Sequence, residues 1–368
     1  MPNSSFKTRL CILTVIGVVL GVVLSGCLTE RLSSDPNNGK TQNTKNSYTS
    51  DEIFEEITSA LSEYNNRTEY DAYLEQSTID AVIRRIQHFY PDYFWLNGYT
   101  TTTSQNSTIL EFMALNDYTS DELRSMHEEL MSAVDTVVSQ IPPGFNDYDK
   151  ALYVHDYIVK NTRYATEKRG LTYNGLWGNA YGCLVDGSAV CQGYAEAFSL
   201  IMQKLGIECG VCTGNSDRGS HAWNYVKIDG NYYWVDVTWD DPEAEGDDPG
   251  EKLRHNYFMI NDELLLRTRT LNEIQYFVPS CSSMERNYFV INNAYLQIYN
   301  PEEIGRILES NAETGIAEMM FANETEFRNA IDRLFEGQEI WDLSGYAELG
   351  YTLNYSYDDK MYVLKINY

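Results

Sequence analysis

At 368 residues and 43 % apolar content, the chain is long enough for two or three domains with full cores. Its formal charge of −27 opposes a phosphate backbone, so no nucleic-acid partner is expected. The 29 tyrosines suit aromatic-rich strands and surface recognition better than a cofactor site.

The first 27 residues read as an export signal. Lys7 and Arg9 precede the 14-residue apolar run CILTVIGVVLGVVL, which is short for a membrane span and suits a signal-peptide core. Leu24-Ser25-Gly26-Cys27 follows and resembles the lipobox of secreted lipoproteins, which implies lipidation at Cys27. An uncleaved anchor is the alternative. Either way the remainder is expected on the extracytoplasmic face of the cell membrane, tethered to it. Residues 28–50 are polar and aperiodic, as a flexible linker is.

Residues 51–142 form an expected helical N-terminal region with one hairpin. A helix begins near Ser50-Asp51 with EIFEEITSALSEY, and a second covers Thr78 to His88. FWLNGYTTTT and TILEFMAL, separated by SQNS, read as a hairpin. Thr119 and Glu122 make a capping box for a long amphipathic helix that Pro142-Pro143-Gly144 ends. Residues 143–272 form the central domain: helix DYDKALYVHDYIVKNTRY, a glycine-punctuated loop, helix VCQGYAEAFSLIMQKLG, then strands IECGVCTG, HAWNYVKI and NYYWVDVTW. Residues 273–368 alternate strand and helix as a small α+β unit without a visible catalytic motif.

Asp236 stands out because strand interiors disfavour aspartate and a half-buried charge needs a partner. Asp229-Gly230 is a two-residue hairpin turn, pairing Ile228 with Asn231. Continued along the strands, this register sets Asp236 opposite Trp223 and makes it a diagonal neighbour of His221 on one face, roughly 7–8 Å away at the backbone. A carboxylate there orients the imidazole and stabilises its charged form, as the third member of a hydrolytic triad does. Cys191 supplies a nucleophile at a helix start, where unpaired N–H groups and the helix dipole favour an anion and could also stabilise an oxyanion. Gly193 is read as keeping the first turn open for substrate. The order Cys–His–Asp points to thioester acyl transfer.

AVCQGYAEAF, SHAWNYV, YYWVDVTWDDP and HDYIVKNTRY resemble the transglutaminase-like superfamily, specifically its microbial, protease-like branch, over about residues 145–262. The resemblance implies an α+β, papain-like transglutaminase core with the cysteine helix packed on an antiparallel sheet. It implies Cys191 as nucleophile, His221 as general base and acid, and Asp236 as orienting carboxylate. The implied activity is cleavage of peptide or glutamine-type amide bonds in a protein or peptide substrate. Protein cross-linking by γ-glutamyl transfer and a non-catalytic envelope scaffold are the alternatives. A second oxyanion donor is expected upstream of the cysteine, with Tyr181 the choice and Tyr173 and Trp177 in the same loop.

The other reactive side chains have plainer readings. His155 falls on the apolar side of its helix and reads as core; His88, His127 and His255 read as surface or structural. Cys209 and Cys212 lack a second pair for zinc, and Cys183, Cys209, Cys212 and Cys281 are candidates for disulfides. The acidic loop from Asp240 to Glu251 is a candidate for calcium, which some transglutaminases require, but its spacing is not that of an EF-hand and a solvated loop is the better account. No metal or other cofactor is expected.

Overall fold

The computed structural model describes residues 47–168, 175–245, 253–350 and 353–368. The export signal with Cys27, residues 28–46 of the linker, Tyr173 and residues 246–251 of the acidic loop lie outside the described residues, whereas residues 47–50, expected as linker, lead into and open the first helix.

Polar caps start the N-terminal helices. Thr49, one residue earlier than expected, forms a capping box with Glu52 and opens α1 (Ser50–Ser62). α2 spans Gln76–Phe89, and α3 (Ser120–Gln140) starts at the Thr119–Glu122 capping box that the sequence predicts. The expected hairpin is β2 (Leu96–Thr103) with β3 (Thr108–Ala114). A strand not foreseen, β1 (Arg67–Tyr70), pairs with β3. RTEY lacks apolar alternation, and only its Tyr70 is buried.

The central region opens with α4 (Asp147–Asn161), capped by Asn146 and Asp149. The short strands β4 (Arg163–Tyr164) and β5 (Ser188–Ala189) pair in parallel around α5 (Ala180–Leu184). β5 leads directly into α6 (Cys191–Lys204), which ends at Gly206 with φ +75°, a left-handed stop that glycine adopts freely. A five-stranded antiparallel sheet follows: β6 (Cys209–Ser216), β7 (Gly219–Ile228), β8 (Asn231–Val235), β9 (Phe258–Ile260) and β10 (Arg269–Leu271). Its spatial order is β10-β6-β7-β8-β9. Beyond it, a four-stranded sheet formed by Tyr295–Leu296, Ile316–Phe321, Val363–Asn367 and Asn354–Asp358 packs with helices Pro301–Ser310 and Glu324–Ile331. The fold class is therefore α+β, as expected.

The pleat of the five-stranded sheet divides two cores. Val226, Ile228 and Val235 join Phe198 and Ile201 of α6 in one core, which continues through Val154, Leu130 and Ile83 to Ile53. The N-terminal helices thus share their core with the cysteine helix. Trp223, Tyr225 and Trp234, on the opposite face, pack with Phe289, Phe321 and Phe327 in the second core. Buried Asn224 ties helix to sheet, its amide donating to the Ala195 carbonyl at 2.8 Å and to the Gly210 carbonyl at 3.3 Å.

Gly214 on β6 pairs with His221 on one side and Leu271 on the other. A β-carbon there would lie 1.9 Å from the Thr270 carbonyl oxygen and 2.7 Å from Trp223 Cη2. Glycine is what lets β10 close against the sheet. Gly214→Ala should lower stability by about 1–3 kcal/mol, the usual range for overpacking. Urea unfolding with an unchanged m-value and a lower midpoint checks this, and unchanged stability would mean that β10 is loosely held.

Candidate active site

Cys191 is the first residue of α6 and is 3 % exposed. Val190 before it is extended, offers no side-chain cap, and is held by an N–H donated to the Trp177 carbonyl at 2.9 Å. The first bond of the helix runs from the Tyr194 N–H to the Val190 carbonyl, at 3.2 Å. The amides of Cys191, Gln192 and Gly193 therefore precede the intrahelical ladder and give the helix tip its affinity for negative charge. Gly193 has a different reason from the one expected: a β-carbon would meet the Asn179 carbonyl and the Ala189 side chain, each at 2.7 Å. It allows close packing beneath the helix start and does not serve as an opening for substrate.

His221 and Asp236 come together by a route the register only partly anticipates. Asp229 and Gly230 both have positive φ, +51° and +84°, as a tight hairpin turn requires. The ladder runs from Ile228–Asn231 to Asn224–Val235 as expected and stops there. Asp236 is thus outside the strand, not opposite Trp223 in it. Its N–H donates to the Tyr257 carbonyl at 3.1 Å, and the chain turns so that Trp239 N–H donates to its Oδ1 at 3.2 Å. The carboxylate still reaches the histidine, with His221 Nε2 at 2.8 Å from Asp236 Oδ2.

The electrostatics of the pair follow from burial and charge. His221 and Asp236 are 4 % and 1 % exposed. Burial alone would push the imidazole below its ordinary range. Asp236 and a hydrogen-bonded Cys191 more than reverse that, lifting His221 to about 9. Burial likewise works against the Asp236 charge, but His221 and Arg269 outweigh it and bring the carboxyl down to about 2. With Nε2 engaged by Asp236, Nδ1 is the ring nitrogen left for the sulfur. Trp223 stacks beside the ring at 5.8 Å between centroids, and Trp239 borders it at 6.0 Å.

Arg269 was not foreseen. It opens β10, is 2 % exposed, and places Nη2 at 2.5 Å and Nε at 3.2 Å from Asp236 Oδ2. Its guanidinium lies 3.6 Å from the Trp239 ring centroid and 5.0 Å from that of Tyr257. No local pattern marks this residue; it lies 33 positions beyond its partner, and the β6–β10 pairing brings it there.

Tyr181 does not present the expected donor. Its hydroxyl donates to Glu129 at 2.6 Å and its N–H to the Asn179 side chain at 3.1 Å, because Asn179 caps α5. Gln192, next to Cys191, donates to Glu196 at 2.8 Å, and burial raises the Glu196 carboxyl to about 7. His155 is buried as expected, yet it bridges two carboxylates instead of packing against apolar groups alone. The start of the acidic loop is not solvated: Asp240 is fully buried, and Asp241, 4 % exposed, accepts the Tyr194 hydroxyl at 2.7 Å. Cys183, Cys209, Cys212 and Cys281, the disulfide candidates, are not joined in disulfides, and neither is Cys191.

A helix-tip cysteine facing a carboxylate-held histidine is an arrangement for nucleophilic thiol chemistry. Comparison with solved structures finds partial overlaps. One, described as a TGase, has a TM-score of 0.29 and 14 % identity over 47 % of this chain and 50 % of its own. A "putative cysteine protease" from Cytophaga hutchinsonii gives 0.25 and 17 % over 37 % and 55 %. A "putative protease" from Parabacteroides distasonis gives 0.26 and 9 % over 61 % and 46 %. The chain thus spans about half the length of each. Comparison with curated proteins finds no match. The model of the transglutaminase-like superfamily matches residues 135–238, the segment that holds Cys191, His221 and Asp236, so over this segment the chain is similar to that superfamily.

Proposed function

We propose that the chain is an extracytoplasmic thiol enzyme, lipid-anchored through Cys27, that cleaves peptide or glutamine-type amide bonds by way of a thioester on Cys191. The observation that carries this reading is the His221 ring, hydrogen-bonded to Asp236 on one side and to Cys191 on the other.

The chemistry follows from the protonation states. Proton transfer from Cys191 to His221 gives a thiolate beside an imidazolium that Asp236 stabilises. The thiolate attacks the amide carbonyl, and the oxyanion that forms is met by the backbone N–H groups at the tip of α6. Collapse of this intermediate breaks the C–N bond, and His221 delivers its proton to the leaving amine. Water, deprotonated by His221, then attacks the thioester carbonyl and releases the acid and the thiol. A lysine amine in place of water gives an isopeptide cross-link by the same two steps.

Arg269 has a distinct part in this scheme as a positioning residue. It shares Oδ2 of Asp236 with His221, so it keeps the carboxylate ionised and fixes its direction. Its positive charge also stands on the same carboxylate as the imidazolium and repels it.

Purified wild type should convert members of a proteome-derived peptide library, and Cys191→Ala should lose about 10⁴-fold or more of that rate. Running the assay with and without added amine separates hydrolysis from cross-linking. Equal behaviour of the two proteins in both arms would leave a non-catalytic scaffold.

Arg269→Gln should lower kcat/KM by up to about 100-fold through misplacement of the pair. It should also move the basic limb of the pH–rate profile upward, since His221 loses a repelling neighbour. Arg269→Lys should leave that limb near its wild-type position and recover part of the rate. A profile unmoved in Arg269→Gln would reduce Arg269 to a packing role.

A further inference from the structure

Away from Cys191, the chain gathers a second set of reactive side chains. His155 and Asp156 are neighbours on α4, and His255 lies just ahead of β9. His155 Nδ1 is 3.1 Å from Asp156 Oδ1, and His255 Nε2 is 2.9 Å from the same oxygen. The three donor atoms all lie within 4.8 Å of one another. Nitrogen and oxygen ligands held roughly 2.0–2.1 Å from a shared ion sit about 3 Å apart at neighbouring coordination positions. We propose that His155, Asp156 and His255 form a binding site for a first-row divalent cation such as zinc.

Each ligand is oriented by a second contact on its far side. His155 Nε2 is 3.1 Å from Asp240 Oδ2, and this carboxylate is itself fixed by the Tyr257 N–H at 3.0 and 3.2 Å. A buried carboxylate behind a ligating imidazole sets the ring's direction and raises its basicity. The His255 ring lies flat on Tyr288, with centroids 3.9 Å apart and planes 11° apart. Asp156 turns Oδ2 to Lys160, at 3.2 Å, and keeps Oδ1 for the two histidines.

The donor set suits the ion. Two imidazoles and one carboxylate are a common triad for zinc and for non-haem iron, and three protein ligands leave coordination positions for water. His155 and Asp240 are fully buried, and His255, itself only 7 % exposed, lines a groove of about 1330 Å³ that Trp239 and Tyr257 also border. An ion would arrive through that groove. A bound ion takes the place of the ring protons that bridge to Asp156, so that both imidazoles ligate in their neutral form opposite two carboxylates, Asp156 and Asp240. The site would then cross-link α4 to the segment entering β9, close behind the turn that carries Asp236.

The test is a titration of the folded chain with zinc chloride and, separately, cobalt(II), in a Cys191→Ala background so that the helix-tip thiol does not compete. One ion should bind per chain and raise Tm. The cobalt spectrum should show nitrogen and oxygen ligation without a thiolate charge-transfer band. Asp156→Asn, His255→Gln and the outer-contact variant Asp240→Asn should each weaken binding by about tenfold or more. Circular dichroism identifies the variants that fold, and Asp156→Asn, at the most exposed of the three ligands, decides the matter if the histidine and Asp240 substitutions do not. Absence of saturable binding, affinity indifferent to these substitutions, or a thiolate band would overturn the proposal and leave the cluster as a hydrogen-bonded ion pair.

Discussion

A single buried carboxylate, Asp236, is what the arrangement around His221 depends on. An ionised group with 1 % exposure is costly to remove from water unless it is fully paired. Here Oδ2 takes both His221 and Arg269, while Oδ1 takes the Trp239 N–H. The carboxyl is held down to about 2 and the imidazole up to about 9, so both charges persist across neutral pH. The pair also couples folding to pH. The histidine's contribution is complete below its ordinary value of 6.5 and is lost as pH rises through about 9. The aspartate's contribution is present above its ordinary 3.8 and is lost as pH falls through about 2.

The rest of the central region brings three distant segments to that carboxylate. The β4–β5 pair delivers the chain to the tip of α6, and the absence of a side chain at Gly193 lets that tip seat against Asn179 and Ala189. Asn224 fastens α6 to the sheet from below, and Gly214 lets β10 approach with Arg269. His221 stands on the Trp223 side of β7 and meets Cys191 where the helix begins. With Cys191, His221 and Asp236 each under 5 % exposed, water reaches the group poorly. This strengthens each electrostatic contact and narrows the approach for any acyl group.

Local signals carried the reading from sequence a long way. Asp229-Gly230 defined the hairpin register, the Thr119–Glu122 spacing defined a helix start, and the apolar period ending at Gly206 defined α6. These features are legible because each rests on contacts within a few residues. What stayed hidden depends on long-range packing. The ladder ends at Val235 because the chain turns at Asp236, whose carbonyl accepts the Trp239 and Asp240 N–H groups, and Arg269 comes from a strand of three residues. His155 looked like a core residue because its partner Asp240 is 85 positions away. At Gly193 the sequence suggests an opening for substrate, whereas the reason for glycine lies in an Asn179 carbonyl that no spacing rule announces.

The claim on which the account stands is that His221 carries a proton at neutral pH because Asp236 is charged behind it. An imidazole ¹⁵N NMR titration of the folded chain measures this directly. The account predicts both ring nitrogens of His221 protonated through pH 7, with a transition near 9 that moves down in Asp236→Asn. A transition at the ordinary value near 6.5, unmoved by that substitution, would contradict it.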